Sequence, residues 1–500
     1  MKIEEIEELK NRLVELSYLN NTLGLLFWDQ EVNLPVKAVD ARASSIAYLS
    51  GLAHNKFIEI DADGLLTKLH KQLLAGNIKN NEAVIVAETW RSFEREKKLP
   101  EKFVKENAEV TSKAQSVWAE ARKTNNFDLF LPWLTKIVKL KMQEAEYVGY
   151  TDSPYDALLD VYEPGMNAKE ASKILNNLRD SLIPFLKKFE SKKSKVDIQS
   201  IKGKFPIVEQ IAFNKLVVES MGFDFEAGRI DSSTHPATYG THPYDIRLTT
   251  RYREDDIYYS LGSTIHETGH GLYEQGLPVE HWGTPLAESV SLGIHESQSR
   301  MWENIIGKSM SFWKFLYPKL QKEFPIPFEK LAIDDFYKII NHVKPSLIRT
   351  EADEVTYNLH IIVRFEIERD MIEGKIDLAD LPKIWKAKMK QYLGIDVPND
   401  SLGVLQDIHW SCGLIGYFPT YSFGNIYAAQ FYAAMEREMP DINKQIELGE
   451  FQKTNKWLKK NIHSLGKTFR ADELVKKVTG ESMNSKYFCE YLDKKYIYTT

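Results

Sequence analysis

The chain has 500 residues, of which 43% are hydrophobic and 27% charged, a composition that builds a large core and excludes disordered and collagen-like classes. Its 65 basic and 71 acidic residues are mixed along the sequence and leave a net charge of −6, so there is no basic field for nucleic acid. Two cysteines, Cys412 and Cys489, exclude a disulfide framework, the N-terminus Met1-Lys2-Ile3-Glu4-Glu5 is acidic where a signal peptide is basic, and no run is apolar enough to span a membrane; the expectation is a soluble protein of a reducing cytoplasm.

From the first residues onward the pattern is helical. Ile3, Ile6, Leu9, Leu13 and Leu16 fall at helical spacing, and similar segments recur to residue 190, which predicts a helical N-terminal half over 1–190. A lysine-rich stretch from Lys187 to Lys204, flanked by Pro184 and Pro206, reads as an exposed connection to a catalytic half over 205–500, within one continuous unit of 1–500. Further on, Asp245-Ile246-Arg247-Leu248-Thr249-Thr250-Arg251-Tyr252 alternates and carries β-branched residues, which predicts a strand and a small sheet there.

The segment that follows carries the chemistry. In Ser263-Thr264-Ile265-His266-Glu267-Thr268-Gly269-His270-Gly271, two histidines stand four residues apart with a glutamate directly after the first. On a helix these histidines are about 40° apart around the axis and one turn apart along it, so both rings can aim at one ion. Glu267, about 60° from His270 on the same wheel, can reach a water at that ion without being a ligand. The ion, best matched by zinc, would lower the pKa of the water towards ~7, and Glu267 would take its proton during attack on an amide carbonyl.

Leu261, Ile265, Thr268 and Leu272 form a stripe beside the histidines, which places the site in a cleft rather than on open surface. Gly269 and Gly271, each costing about 1 kcal/mol against alanine in a helix, indicate that something approaches the backbone closely. The helix is expected to stop near Gly276-Leu277-Pro278, and further helices are predicted over 287–304 and 351–373.

A catalytic zinc takes three protein ligands and keeps an open position, so the next helix should supply the third. Glu288, His295, Glu296 and Glu303 are all candidates, and spacing alone does not choose among them.

The stretch Leu261 to Gly276, followed by His295-Glu296-Ser297-Gln298, resembles the carboxypeptidase Taq family of metallocarboxypeptidases. Other motifs of that family appear in order: Trp28-Asp29-Gln30-Glu31, then Asp245-Ile-Arg247-Leu-Thr249, then Ile348-Arg349-Thr-Glu-Ala352-Asp353, then Gly403-Val-Leu-Gln406-Asp407-Ile-His409-Trp410. One departure is that the family's His-Pro-Phe reads His235-Pro236-Ala237 here, which bears on the shape of one pocket wall and not on the chemistry.

The resemblance implies Glu296 as the third ligand, with Glu288 left either to orient a histidine or to sit capped in the core, and His295 as support. It also implies His409 and Tyr421 as donors to the developing oxyanion, with Tyr417 and Tyr427 as rivals for the tyrosine role. Arg349 and Arg247 follow as the partners of a substrate's C-terminal carboxylate. The expected protein is thus mainly α: a large helical zincin-type peptidase with a small β-sheet beside a deep groove, releasing single residues from peptide C-termini. A cytoplasmic homodimer, with cobalt as an alternative to zinc, is implied by the resemblance alone. Two other readings stay open, a metallo-endopeptidase or dipeptidase with the same site and a silent peptide-binding scaffold; the scaffold has no use for Glu267.

Overall fold

A computed structural model describes residues 2–190 and 197–496. Part of the lysine-rich stretch, residues 191–196, lies outside the described residues. Among the described residues the chain is mainly helical with one three-stranded sheet, and no helix there is long and apolar enough to cross a membrane.

The first helix, α1, runs Lys2–Val32. The strands are β1 (Gly228–Ser232), β2 (Ala237–His242) and β3 (Asp245–Thr250). In the order β1-β3-β2, β1 is parallel and β2 antiparallel to the central strand, with Arg229 and Tyr239 both in register with Arg247 and Thr238 with Leu248. The period of two sends Ile246, Leu248 and Thr250 into the core, each with no exposed surface, while Arg247 stays half-buried on the opposite face.

Helix α2 (Ile257–Gly276) follows directly and packs on β3. Asp256 caps it by accepting the N–H of Tyr259, and it stops where Leu277 turns extended before Pro278. Its buried stripe is the one read from the sequence: Leu261, Ile265, Thr268 and Leu272 are all buried, each apolar side chain stabilising the packing by about 1.5–3 kcal/mol. A Cβ on Gly269 would lie 2.7 Å from the carbonyl oxygen of Gln298 and from Cα of Ser299, so a neighbouring backbone occupies the space that a side chain would need.

That neighbour is α3 (Leu292–Arg300), capped by Ser291, whose hydroxyl accepts the N–H of Ile294. The predicted start at residue 287 is therefore several residues early: Glu288 is extended, and the helix cannot begin before its cap. Beyond Arg300 the winding loosens into a π-helical turn over Met301–Ile306. Helix α4 (Thr356–Ile372) likewise begins later than expected, because the Asp353 carboxylate accepts the N–H groups of Val355 and Thr356 and sets the start. Helix α5 (Pro419–Glu438) packs along α3.

Among the described residues, most buried apolar side chains fall into two clusters. A small one joins Ile6, Leu9 and Leu13 of α1 to residues between Ile60 and Phe93, with Leu286 entering from the second half of the chain. The large one takes in α2 to α5 together with the helices between residues 101 and 190. Helix α1 links the two regions: its far end reaches the sheet, where Trp28 is buried beneath Arg247.

Candidate metal centre

His266, His270 and Glu296 come together, each offering one ligand atom within 4.8 Å of the others. Glu296 Oε2 lies 3.8 Å from Nε2 of His266 and 3.3 Å from Nε2 of His270. Ligands about 2.0–2.2 Å from a tetrahedral zinc are separated from one another by roughly 3.4 Å, so these spacings suit three donors around one ion. The charges agree. When ionised, Glu267, Glu296 and Glu303 are three carboxylates against the single guanidinium of Arg300, an excess of negative charge that a divalent cation would neutralise.

Each donor is held in place by another group. Nδ1 of His266 pairs with Glu303 Oε2 at 2.8 Å, which turns Nε2 towards Glu296. Arg300 bridges the two carboxylates, with Nε to Glu296 Oε1 at 2.6 Å and Nη1 to Glu303 Oε2 at 3.1 Å. Burial alone would raise Glu303, but Arg300 and His266 bring it down to about 2; in the same way Arg300 and the two histidines overcome burial and hold Glu296 well below the usual carboxylate range. The ring of His270 stacks on that of His295, with centroids 4.4 Å apart and planes 17° from parallel, while His295 Nε2 pairs with Glu274 Oε1 at 2.7 Å.

Glu267 is buried next to His266, and its Oε2 accepts the Thr238 hydroxyl of β2 at 2.7 Å. Burial raises its pKa, while His266 and Thr238 limit the rise.

Glu288 belongs to neither role that the sequence left to it. Its side chain is 55% exposed and ion-pairs with Lys467 at the surface. The carboxylate that orients a histidine is Glu303, which the sequence offered only as a possible ligand. Arg300 and Thr238 were not singled out at all. The spacing Glu296-x₃-Arg300-x₂-Glu303 was the available signal for Arg300, since both carboxylates are helical neighbours of that position. Nothing in the sequence pairs Thr238 with Glu267.

A second group lies beside these donors. His409 Nε2 is 3.3 Å from the hydroxyl of Tyr421, and the Tyr417 and Tyr421 rings are 5.3 Å apart. Burial raises both tyrosines, aided next by the Glu296 charge at Tyr417 and by Tyr417 itself at Tyr421, so they stay protonated as donors. Burial brings His409 down to about 4, which keeps its ring neutral near neutral pH. Tyr427 is placed differently: it is fully buried and donates to Glu163 Oε1 at 2.9 Å.

Arg349 is buried, with Nε and Nη2 on Asp407 Oδ1 at 3.0 and 2.9 Å and Nη1 on the Tyr357 hydroxyl at 2.9 Å. Its guanidinium carbon lies 5.1 Å from the Tyr421 ring centre. Arg247 forks onto Asp245 at 2.9 and 3.1 Å and stacks 4.2 Å over Trp28. Both arginines therefore hold a carboxylate of the protein itself.

A helical scaffold with such a donor set beside a buried glutamate defines a metallopeptidase. The chain belongs to the carboxypeptidase Taq (M32) metallopeptidase family, whose sequence profile matches residues 8–496. It is 40% identical to thermostable carboxypeptidase 1 of Thermus thermophilus over 96% of each chain, and 37% identical to carboxypeptidase 1 of Bacillus subtilis over 99% of each. The fold matches that of the Pyrococcus furiosus carboxypeptidase with a TM-score of 0.94 at 38% identity, and of Trypanosoma cruzi metallocarboxypeptidase 1 with a TM-score of 0.94 at 35%; each match covers 99% of both chains. The protein is a metal-dependent carboxypeptidase, and the helical fold with its small sheet is that of the family.

Proposed function

We propose that the metal is zinc, held by His266, His270 and Glu296, with Glu267 as the general base of C-terminal peptide-bond hydrolysis. The observation that carries this reading is the spacing of 3.3 and 3.8 Å from Glu296 Oε2 to the two imidazole nitrogens. Two imidazoles and one carboxylate suit zinc, with cobalt as the second choice. When bound, the ion supplies a Lewis acid that acidifies water and polarises the scissile carbonyl. Glu267 takes a proton from the attacking water and returns it to the departing amine nitrogen. His409 and Tyr421 donate to the carbonyl oxygen as its charge grows.

Arg349 suits the reading of the terminal carboxylate better than Arg247, since it lies beside Tyr421, while Arg247 sits on the central strand of the sheet against Trp28. A guanidinium has five N–H donors, and Asp407 and Tyr357 engage three of those on Arg349. A cytoplasmic homodimer belongs to the same proposal on family likeness alone.

The test is a mixed-sequence peptide with free and with amidated C-terminus, followed by mass spectrometry alongside metal analysis. A ladder of free amino acids lost from the C-terminus is expected, with one zinc per chain. Amidation should slow release about ten- to a hundredfold, the equivalent of a charge-assisted hydrogen bond worth about 1.5–3 kcal/mol. Equal rates on the amidated peptide would remove the carboxylate-reading role from both arginines.

A further inference from the structure

His409 lies on a segment, residues 403–418, of turns, bends and irregular backbone, with no helix or strand ladder to hold it. A group that must meet a developing charge within a fraction of an ångström needs support from elsewhere. The support comes from α4, a helix buried on every side from Thr356 to Glu368 whose interior nevertheless carries two ionisable residues with no exposed surface, Arg364 and Glu368. Buried charges are costly unless they are fully engaged.

Here four of the six partners belong to the His409 segment, the other two being the His360 carbonyl, which accepts from Arg364 Nη1 at 2.8 Å, and the Tyr155 hydroxyl. Arg364 Nε donates to Asp407 Oδ2 at 2.7 Å, and its Nη2 to Gln406 Oε1 at 2.7 Å. Glu368 Oε1 accepts the indole N–H of Trp410 at 2.9 Å. Its Oε2 accepts the backbone N–H of Gly416 at 3.1 Å and the hydroxyl of Tyr155 at 2.9 Å. The same Asp407 and Gln406 also take Arg349, through its side chain and its backbone N–H.

We propose that Arg364 and Glu368 are positioning residues for the reaction. One helical turn apart on α4, they grip the segment on both flanks of His409, Gln406-Asp407 on one side and Trp410 with Gly416 on the other, and so fix the His409 ring, while the Arg349 fork is held on the Arg364 flank alone. The proposal rests on the reading of His409 as a donor to the developing oxyanion.

Glu368→Gln is nearly isosteric but has one acceptor oxygen where the carboxylate has two, so it cannot serve both Trp410 and Gly416. It should lose about 10- to 100-fold in kcat while keeping its metal and a KM within about twofold of the parent enzyme. Glu368→Asp, which restores both acceptors on a shorter arm, should recover part of the loss. In a His409→Ala background, Glu368→Gln should cost about twofold or less, because the group it positions is already gone. Arg364→Lys tests the other flank in the same way, keeping the charge and losing the fork. A parent-like kcat in Glu368→Gln, or a loss undiminished in the His409→Ala background, would overturn the proposal. Parent-like turnover in His409→Ala alone would overturn the reading of His409 and this proposal with it, a pattern distinct from the other two.

Discussion

Gly424 of α5 lies against Glu296 so closely that a Cβ there would stand 2.5 Å from Cγ and 2.7 Å from Cβ of that glutamate. The rotamer of the carboxylate is therefore set by the backbone of a second helix as well as by Arg300. Gly424→Ala should push Glu296 out of line with the two histidines, with metal affinity falling about 10- to 100-fold and activity following it. Competition against a metal-buffering chelator measures this, and an unchanged affinity would show that Glu296 does not depend on the contact.

Replacing Glu267 by glutamine keeps the size of the side chain and its contact with Thr238 but removes the proton acceptor. Turnover should fall by about 10²–10⁴-fold with metal content intact. Stopped-time product assays beside elemental analysis give both quantities, and normal turnover would remove Glu267 from the role of base.

Glu303 and Glu288 make a contrasting pair. Glu303→Ala takes away the partner of His266 Nδ1 and of Arg300, so metal affinity should drop about 10- to 100-fold, with a smaller loss for Glu303→Gln, which can still accept a hydrogen bond. Glu288→Ala, at an exposed pair with Lys467, should leave metal binding alone and change stability by about 0.5 kcal/mol or less. Isothermal titration of the apoenzyme with zinc would rank the three; a Glu288→Ala defect larger than that of Glu303→Ala would reverse the assignment.

Stability should depend on pH through Glu163, which is buried against the N–H of Gly293 and the Tyr427 hydroxyl at the base of α3. Burial pushes its carboxyl up to about 7 from an ordinary 4.5. Between those values the folded chain holds a proton that the unfolded chain has released, so the contribution of this group is fully present below about 4.5 and is lost as pH rises through about 7. Glu163→Gln should remove this part of the decline. Thermal melting of both proteins from pH ~5 to ~8 checks it, and parallel curves would exclude Glu163 as a source.

The metal helix was legible because its information is local: the histidine spacing, the apolar stripe and the stop at Gly276 all lie within one element. The strand over residues 245–250 was legible for the same reason. The role of Glu303 as the partner of His266 was not, because the turn that carries it is π-helical from Met301, and no residue preference marks the change of winding. Glu288 misled because a helix drawn from residue 287 puts it in phase with Glu296, whereas the cap at Ser291 leaves it outside the helix. The contact of Thr238 with Glu267 depends on strand register between β2 and β3, and the hold of α4 on residues 403–418 depends on partners some forty positions apart. Such pairings are set by packing and leave no periodic trace.

Helix α1 acts mechanically as a rod with its first half in the small apolar cluster and its far end against the sheet. Its 31 residues span about 46 Å, and the stretch from Leu13 in the small cluster to Trp28 under Arg247 is about 22 Å. A tilt of ~5° pivoting at Leu13 would carry the Trp28 ring by ~2 Å, more than a stacked guanidinium tolerates. The alignment of one wall of the catalytic sheet is thereby tied to how well a remote set of side chains fills its space.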